Sequence, residues 1–205
     1  QNNRHNKADA LVALDQLVEA CPNLEWIGLV VTWFGDSLDA GDCIIQPGVE
    51  YQSGATTEPD TWSVGSFTRD TAHQITLDGN GSPVYGGTPS DASVQRYIAE
   101  IKARGLKVML YPMFFMDTTN KPWRGRVAGT PSEVSSFFTK TDGYNIFINH
   151  YANLVGSTVD AFVIGSELIG LTSVQDTDDS CPAVDELVGL AASVQTCLLY
   201  TSPSP

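Results

Sequence analysis

Apolar and polar positions along this chain repeat with two alternating periods. Residues 6–20, NKADALVALDQLVEA, put Leu11, Leu14 and Leu17 or Val18 at helical spacing. Pro22, in the CPNL that follows, cannot continue a helix. Residues 25–35, EWIGLVVTWFG, then run almost unbroken through β-branched and aromatic side chains, the pattern of a strand buried on both faces. The same pair of signals returns twice. SDASVQRYIAEIKARG (90–105) spaces Val94, Ile98 and Ile101 along one helical face, with Gly105 as its stop. LKVMLYPMFF (106–115) is a second apolar strand. GYNIFINHYANLVG (143–156) predicts a helix with a wide apolar stripe of Tyr144, Phe147, Ile148, Tyr151, Ala152 and Val155. AFVI (161–164) predicts a third strand buried on both faces, and AVDELVGLAASV (183–194) a closing helix. Residues 36–89 interrupt this rhythm with much Gly, Thr, Ser and Asp; short strands are expected near CIIQPGVEY and AHQITL. Loops of that length are usually functional or partly disordered.

Strand and helix in alternation, with strands apolar throughout, imply an α/β fold whose parallel sheet is covered by helices. An open doubly wound sheet and a barrel share this pattern. YGGTPSD (85–91) has neither the spacing of a dinucleotide-binding glycine loop nor a Walker lysine. There is no internal repeat.

Composition narrows the partners. The 205 residues, 42% hydrophobic and 17% charged, suffice for one sizeable core. A net charge of −13, from 24 acids against 11 bases, repels phosphate backbones and anionic membrane surfaces, so no nucleic-acid partner is expected. No apolar run reaches membrane-spanning length. Cys21, Cys43 and Cys181 form no C-x-x-C pair and read as packing or loop cysteines in a reducing compartment. His5, His73 and His150 show no metal-ligand spacing, and His150 reads as a packing histidine. QDTDDSC (175–181) lacks the sixth-position Gly and closing Glu of a calcium loop. Neither metal nor cofactor is expected.

Both ends look cut. The chain begins at Gln1, and CLLYTSPSP (197–205) resembles the translation of a transposase-type sequencing adapter, a contaminant of genes assembled from short metagenomic reads. The expected organisation is therefore a partial domain over residues 1–196 and an adapter-derived tail over 197–205, the natural protein continuing past Gln195.

Chemistry concentrates where the strands end. The first closes with Trp33, Phe34, Gly35 and Asp36; the second with Tyr111 through Phe115, Met116 and Asp117; the third with Gly165, Ser166 and Glu167. In (β/α) barrels the C-terminal strand ends carry the active site. Carboxylates with interleaved aromatics suit a sugar cleft, the acids supplying proton transfer and nucleophile, the rings covering pyranose faces. Trp33 and Trp123 are candidate platforms, or rim packing; Asp36 and Asp117 are substrate contacts, or loop caps. Arg124 and Arg126 in PWRGR can hold a carboxylate, bind an acidic sugar or form an inter-loop salt bridge. Glu167 is a catalytic carboxylate, or a strand-end group paired with Arg124.

GLKVMLYPMFFMD, KPWRGRV, YNIFINHYANLV and VDAFVIGSELIGLT, in that order, resemble the clan A glycoside hydrolases, particularly their β-mannanase-like branch. CPNLEWIGLVVTWFGDSL, YGGTPSDASV, PWRGR, HYANL and FVIGSELIGLT together resemble the TIM-barrel-like domain of gene transfer agents, phage-like particles in which it belongs to a large tail-tip protein. The resemblance runs from about residue 8 to residue 193. It implies a TIM (β/α)8 barrel of which this chain is the N-terminal half, about four strands. It also implies a glycoside-hydrolase-like domain of a gene transfer agent or prophage tail, acting on a cell-surface or cell-wall glycan by a retaining mechanism. An inactive structural or carbohydrate-binding module of the tail hub is the alternative. Other tail-tip or baseplate proteins would be partners, and the place a virion-like particle tail assembled in the bacterial cytoplasm. Glu167 matches the acid/base at the end of strand four, and the nucleophile belongs at the end of strand seven, beyond this sequence. Ser166 stands where Asn, the usual contact to the sugar 2-hydroxyl, is common.

Overall fold

The computed structural model describes residues 7–55 and 59–198. Of the tail read as adapter-derived, residues 199–205 lie outside this range, while Cys197 and Leu198 end a helix. Helix α1 (Asp9–Ala20) precedes strand β1 (Trp26–Gly35). The segment after β1 carries five short strands: β2 (Ile45–Gln46), β3 (Gly48–Val49), β4 (Ser63–Val64), β5 (Phe67–Thr68) and β6 (His73–Gln74). Helix α2 (Asp91–Ala103), strand β7 (Lys107–Met116), helices α3 (Pro131–Thr139) and α4 (Tyr144–Val155), and strand β8 (Ala161–Phe162) follow. Helices α5 (Ile169–Thr172) and α6 (Pro182–Leu198) complete the described chain. Ser90 caps α2 by accepting from the Ser93 N–H, and Gly105 beyond it takes a φ of +76°. Helix α3 was not expected from hydrophobic spacing. A capping box starts it, Thr130 and Glu133 each accepting from the other's backbone, with Pro131 in the first turn.

One sheet of four strands, ordered β2-β1-β7-β8, organises the fold. Three are parallel; β2 runs antiparallel beside the end of β1. β1 and β7 pair in register from Trp26↔Lys107 to Gly35↔Met116, so the pleat sorts their side chains into two matched faces. Leu29, Val31 and Trp33 share one face with Leu110, Pro112 and Phe114. Helices pack on this face: Trp33 meets Phe147 and Tyr151 of α4, and Phe114 meets Phe137 of α3 and Tyr144 of α4. Leu29 and Val31 line a groove with Leu11 of α1 and Val94 and Tyr97 of α2. α6 packs outside α3 and α4. Burying side chains of this size contributes about 1.5–3 kcal/mol each.

The opposite face carries Gly28, Val30, Thr32, Met109, Tyr111 and Met113, and no helix among the described residues packs on it. Trp26 and Val30 are 43% and 45% exposed. The expectation of strands buried on both faces is therefore corrected: helices cover one face, and the second is the inward face of a curled half-barrel, the fold expected from the resemblance. Only its upper end is covered. There the long segment folds back, stacking His73 and Tyr85 on Phe34 and Tyr85 on Phe115. Gly48 lets that segment approach, since a Cβ there would meet the Phe34 ring at 2.5 Å.

β8 is also shorter than expected, two residues on β7 followed by half-buried extended chain. Asp160 anchors its start, accepting from the Val108 N–H (2.8 Å) and from Lys102 Nζ (2.7 Å). Of the cysteines, Cys43 is buried and Cys21 exposed, all four being free thiols; burial pushes the Cys43 thiol up to about 11.

Two predictions follow from this layering. Val31→Asp, on the helix-covered face, should cost about 3–5 kcal/mol and unfold the chain, whereas Val30→Asp, one residue away on the bare face, should cost less than about 1 kcal/mol. Urea denaturation of the two variants decides it, and equal losses would contradict the assignment of faces. Hydrogen bonds from Lys102 first, and then from the Val108 N–H, hold the Asp160 carboxyl below its usual range. A depressed carboxyl stabilises the fold above its unfolded pKa, near 4, and that contribution disappears as pH falls through the folded value. Asp160→Asn should therefore lower stability at pH 7 by about 1 kcal/mol and leave a shallower loss below about pH 4.

Candidate functional site

Two loops meet at the C-terminal end of β7 and β8. One is the PWRGR turn, whose residues Arg124–Arg126 form a single 3-10 turn; the other is Gly165–Glu167 running into α5. Glycines set how closely they approach. A Cβ on Gly170 would lie 2.4 Å from the Val127 carbonyl oxygen and 2.8 Å from that of Gly125. A Cβ on Gly125 would strike the Trp123 indole at 2.5 Å, so the ring lies over that glycine. Leu168 and Leu171 anchor the second loop in the core.

Arg124 joins the loops. It is 7% exposed, and its Nη2 donates to Ser166 Oγ (3.2 Å) and pairs with Glu167 Oε2 (3.0 Å), while Nε donates to the Ser166 carbonyl (3.4 Å). Trp123 donates from Nε1 to the same Glu167 oxygen at 2.6 Å and keeps 49% of its surface exposed. Glu167 takes a φ of +55°, a left-handed conformation that a non-glycine residue adopts at some cost, and its side chain is 52% exposed. The Trp123 hydrogen bond and the Arg124 ion pair both fall on Oε2. Below it, Tyr111 donates to Ser166 Oγ and Tyr144 to the Ile164 carbonyl (3.0 Å). Burial pushes the Tyr144 phenol far above its ordinary value, so it remains a donor.

Glu167, Ser166, Arg124 and Trp123 are thus brought together. Glu167 follows the third parallel strand of the described sheet, where strand four was expected. Of the readings left open for Arg124, the inter-loop bridge holding a carboxylate is the one seen, and its burial leaves no face for an acidic sugar.

Three candidates stand elsewhere. Trp33 is 3% exposed and bonded through Nε1 to Tyr151 Oη (3.1 Å), so it is core and no sugar platform; its place in the pleat turns it under α4. Asp36 caps its own loop, Oδ1 accepting from the Ile44 N–H at 2.7 Å. Asp117 is buried, its Oδ2 accepting from His73 Nε2 (2.6 Å) and the Thr76 N–H (2.9 Å), and its Oδ1 has no partner among the described residues. It clamps the long segment to β7. As a substrate contact it is corrected, since its side chain is 1% exposed.

His73, Tyr111 and Tyr144 are the contributors that sequence reasoning missed. Only Tyr111, an isolated phenol in an apolar strand, carried a signal that could have found it. His150 has its expected packing role, against Trp33 and Tyr151 with Asp91 Oδ1 at 2.9 Å. Among the described residues no cluster of three or more His, Cys, Asp or Glu could hold a metal ion, and no helix is long and apolar enough to cross a membrane.

A family model described as the GTA TIM-barrel-like domain matches residues 142–201, the stretch that holds α4, β8, Glu167 and α6. Solved structures share the fold. A complex of a GH113 β-1,4-mannanase matches at 17% identity and a TM-score of 0.52, over 93% of this chain and 47% of that one. The GH113 β-mannanase AaManA from Alicyclobacillus acidocaldarius, in complex with ManMIm, matches at 16% identity and a TM-score of 0.54, over 94% and 47%. No curated protein sequence matches the chain. The chain spans about half the length of these solved enzymes, and at such identity the likeness is one of fold: a partial TIM barrel. The resemblance read from the sequence is borne out at that level.

The glycine contact gives a prediction. Gly170→Ala should cost about 2–4 kcal/mol and shift Trp123 emission, because the two loops must separate. Gly79→Ala, where an added Cβ meets nothing within 4 Å, should stay within about 0.5 kcal/mol of the parent. Equal effects in denaturation would show that the contact does not set the site.

Proposed function

We propose that this chain is part of a glycan-directed barrel domain in the tail protein of a gene transfer agent or related prophage, with Glu167 as its acid/base. One observation carries the reading. The half-exposed carboxylate of Glu167 is held at the C-terminal end of the sheet by the exposed indole of Trp123, which pairs a sugar-sized aromatic surface with a proton donor or acceptor. The family name attached to residues 142–201 and the fold shared with β-mannanases support it.

In the hydrolytic form of the reading, Glu167 protonates the leaving glycosidic oxygen as the bond to the anomeric carbon breaks through an oxocarbenium-like transition state. It then takes a proton from the water that attacks the same carbon. Retention requires a second carboxylate about 5 Å away. Asp36 and Asp117 are committed to the Ile44 N–H and to His73, so that group comes from outside the described sheet.

A second reading is favoured by the Arg124–Glu167 ion pair at 3.0 Å, which ties the carboxylate into the join between the two loops. In that case the domain binds glycan at the particle tail without turnover.

Reducing-end release from β-linked and cell-wall glycans, measured for the barrel with its second half and for its Glu167→Gln variant, tests the proposal. Hydrolysis falling by about 10³-fold or more in the variant is expected of an acid/base. Binding without release by either protein selects the binding module. Neither binding nor release removes the glycan reading.

A further inference from the structure

We infer that the lower outer edge of β1, at Trp26, Gly28 and Val30, is the docking edge for one more parallel strand, supplied by the natural protein's chain ahead of Gln1.

The direction of the backbone hydrogen bonds singles out this edge. The carbonyls of Glu25 and Gly35 accept from the N–H groups of Lys107 (2.8 Å) and Asp117 (2.9 Å). Backbone groups alternate sides along a strand, so the odd-numbered residues of β1 face β7 and the even-numbered ones face away. At the upper end the long segment meets the even-numbered positions. β2 pairs at Phe34, and Thr88 Oγ1 donates to the Thr32 carbonyl at 2.6 Å while accepting from the Gly48 N–H at 2.9 Å. Below Thr32 that cover stops. Among the described residues nothing bonds to the backbone groups of Trp26, Gly28 and Val30, and all three residues are exposed. An apolar edge with open donors and acceptors is a template for another strand.

The helices identify the occupant. α1 lies on the same face of the sheet as α2: Tyr97 Oη donates to the Ala10 carbonyl at 3.4 Å, and Leu11 lines one groove with Leu29, Val31 and Val94. α2 carries the chain from β1 to β7, and crossovers between parallel strands are right-handed. α1 leads into β1 over that same face. With the same hand, the strand feeding α1 stands one step before β1, on the side away from β7, which is the open edge. A strand under helices is built of apolar residues, and QNNRHN (1–6) contains none, which places it ahead of Gln1. It pairs along Trp26–Val30 and ends beneath Thr88 and β2, and Glu167 then follows the fourth parallel strand of the sheet.

The test compares this chain with the same chain extended upstream by the sequence recovered from the source DNA, using amide hydrogen exchange read by NMR. In this chain the amides of Trp26, Gly28 and Val30 should exchange freely while those of Ile27, Leu29 and Val31 are protected. In the extended chain the first three should slow by about 100-fold or more. Val30→Pro gives a second reading, since proline removes an N–H that has no partner here but that a paired edge needs. It should lower the melting temperature of the extended chain by several degrees more than that of this one. Amides that stay unprotected in a folded extended chain, or equal losses with proline, overturn the inference. Protection already present in this chain overturns it too: dependence on protein concentration would assign the edge to a second copy, and independence to the chain itself.

Discussion

The in-register parallel pairing of β1 with β7 is the constraint on which the rest of the structure depends. Ten paired positions lock the pleats of the two strands together, so one row of side chains is sent to the helices and the next to the barrel interior. A slip of one residue would put Val31 and Phe114 on the bare face and Val30 and Phe115 under α4. The helices hold because the apolar row they need, from Leu29 and Leu110 up to Trp33 and Phe114, is continuous across both strands. The inward face is covered only where the segment between β1 and α2 folds back over its upper end, through His73 and Tyr85.

That segment does more than connect. It brings His73 to Asp117 and Tyr85 to Phe115, closing the upper end of the inward face beside β1 and β7 while leaving β8 open. Two of the three strand-end acids are consumed in making this roof and its loops. Glu167 escapes because the chain after β8 is held by Arg124 and two buried leucines, which leaves its side chain 52% exposed. The site is thus defined by what the segment covers as much as by what the strands present.

Inside the site, steric and polar constraints reinforce one another. Gly170 admits a close backbone approach and Gly125 a close indole ring, either of which a side chain would block, and Arg124 bonds to Ser166 and Glu167 across the two loops. A nearly buried guanidinium must have partners, and here they are the groups of greatest chemical interest. It pairs with the Glu167 carboxylate and donates to the Ser166 hydroxyl and carbonyl, tying the two residues to one guanidinium. The left-handed backbone at Glu167 fits such a setting, being a local strain held by a packed surrounding.

Much of this was legible in the residues. Hydrophobic period alone placed α1, α2, α4, α6, β1 and β7 within a few residues, and the unbroken apolar strands called for a parallel sheet under helices. The resemblance of separate motifs pointed to a barrel and to Glu167. α3 could have been found from its TPSE cap, but its spacing does not stand out. Other features were not legible, because an apolar run shows that a strand is buried without saying which of its two faces meets the helices. Trp33 could therefore be core or platform until α4 was seen over it. Likewise, an acid at a strand end has the same letter whether it caps a loop, clamps a histidine or faces a cleft. Those choices turn on hydrogen bonds between residues some 40 to 55 positions apart, such as His73 with Asp117, Trp123 with Glu167 and Tyr111 with Ser166. The sequence by itself determined the order of elements, the parallel sheet and the strand ends at which chemistry would gather, because these rest on local period and on backbone pairing. Only the tertiary structure decided which of the gathered groups are spent on holding the fold and which remain free, because that depends on distances which close only when the chain does.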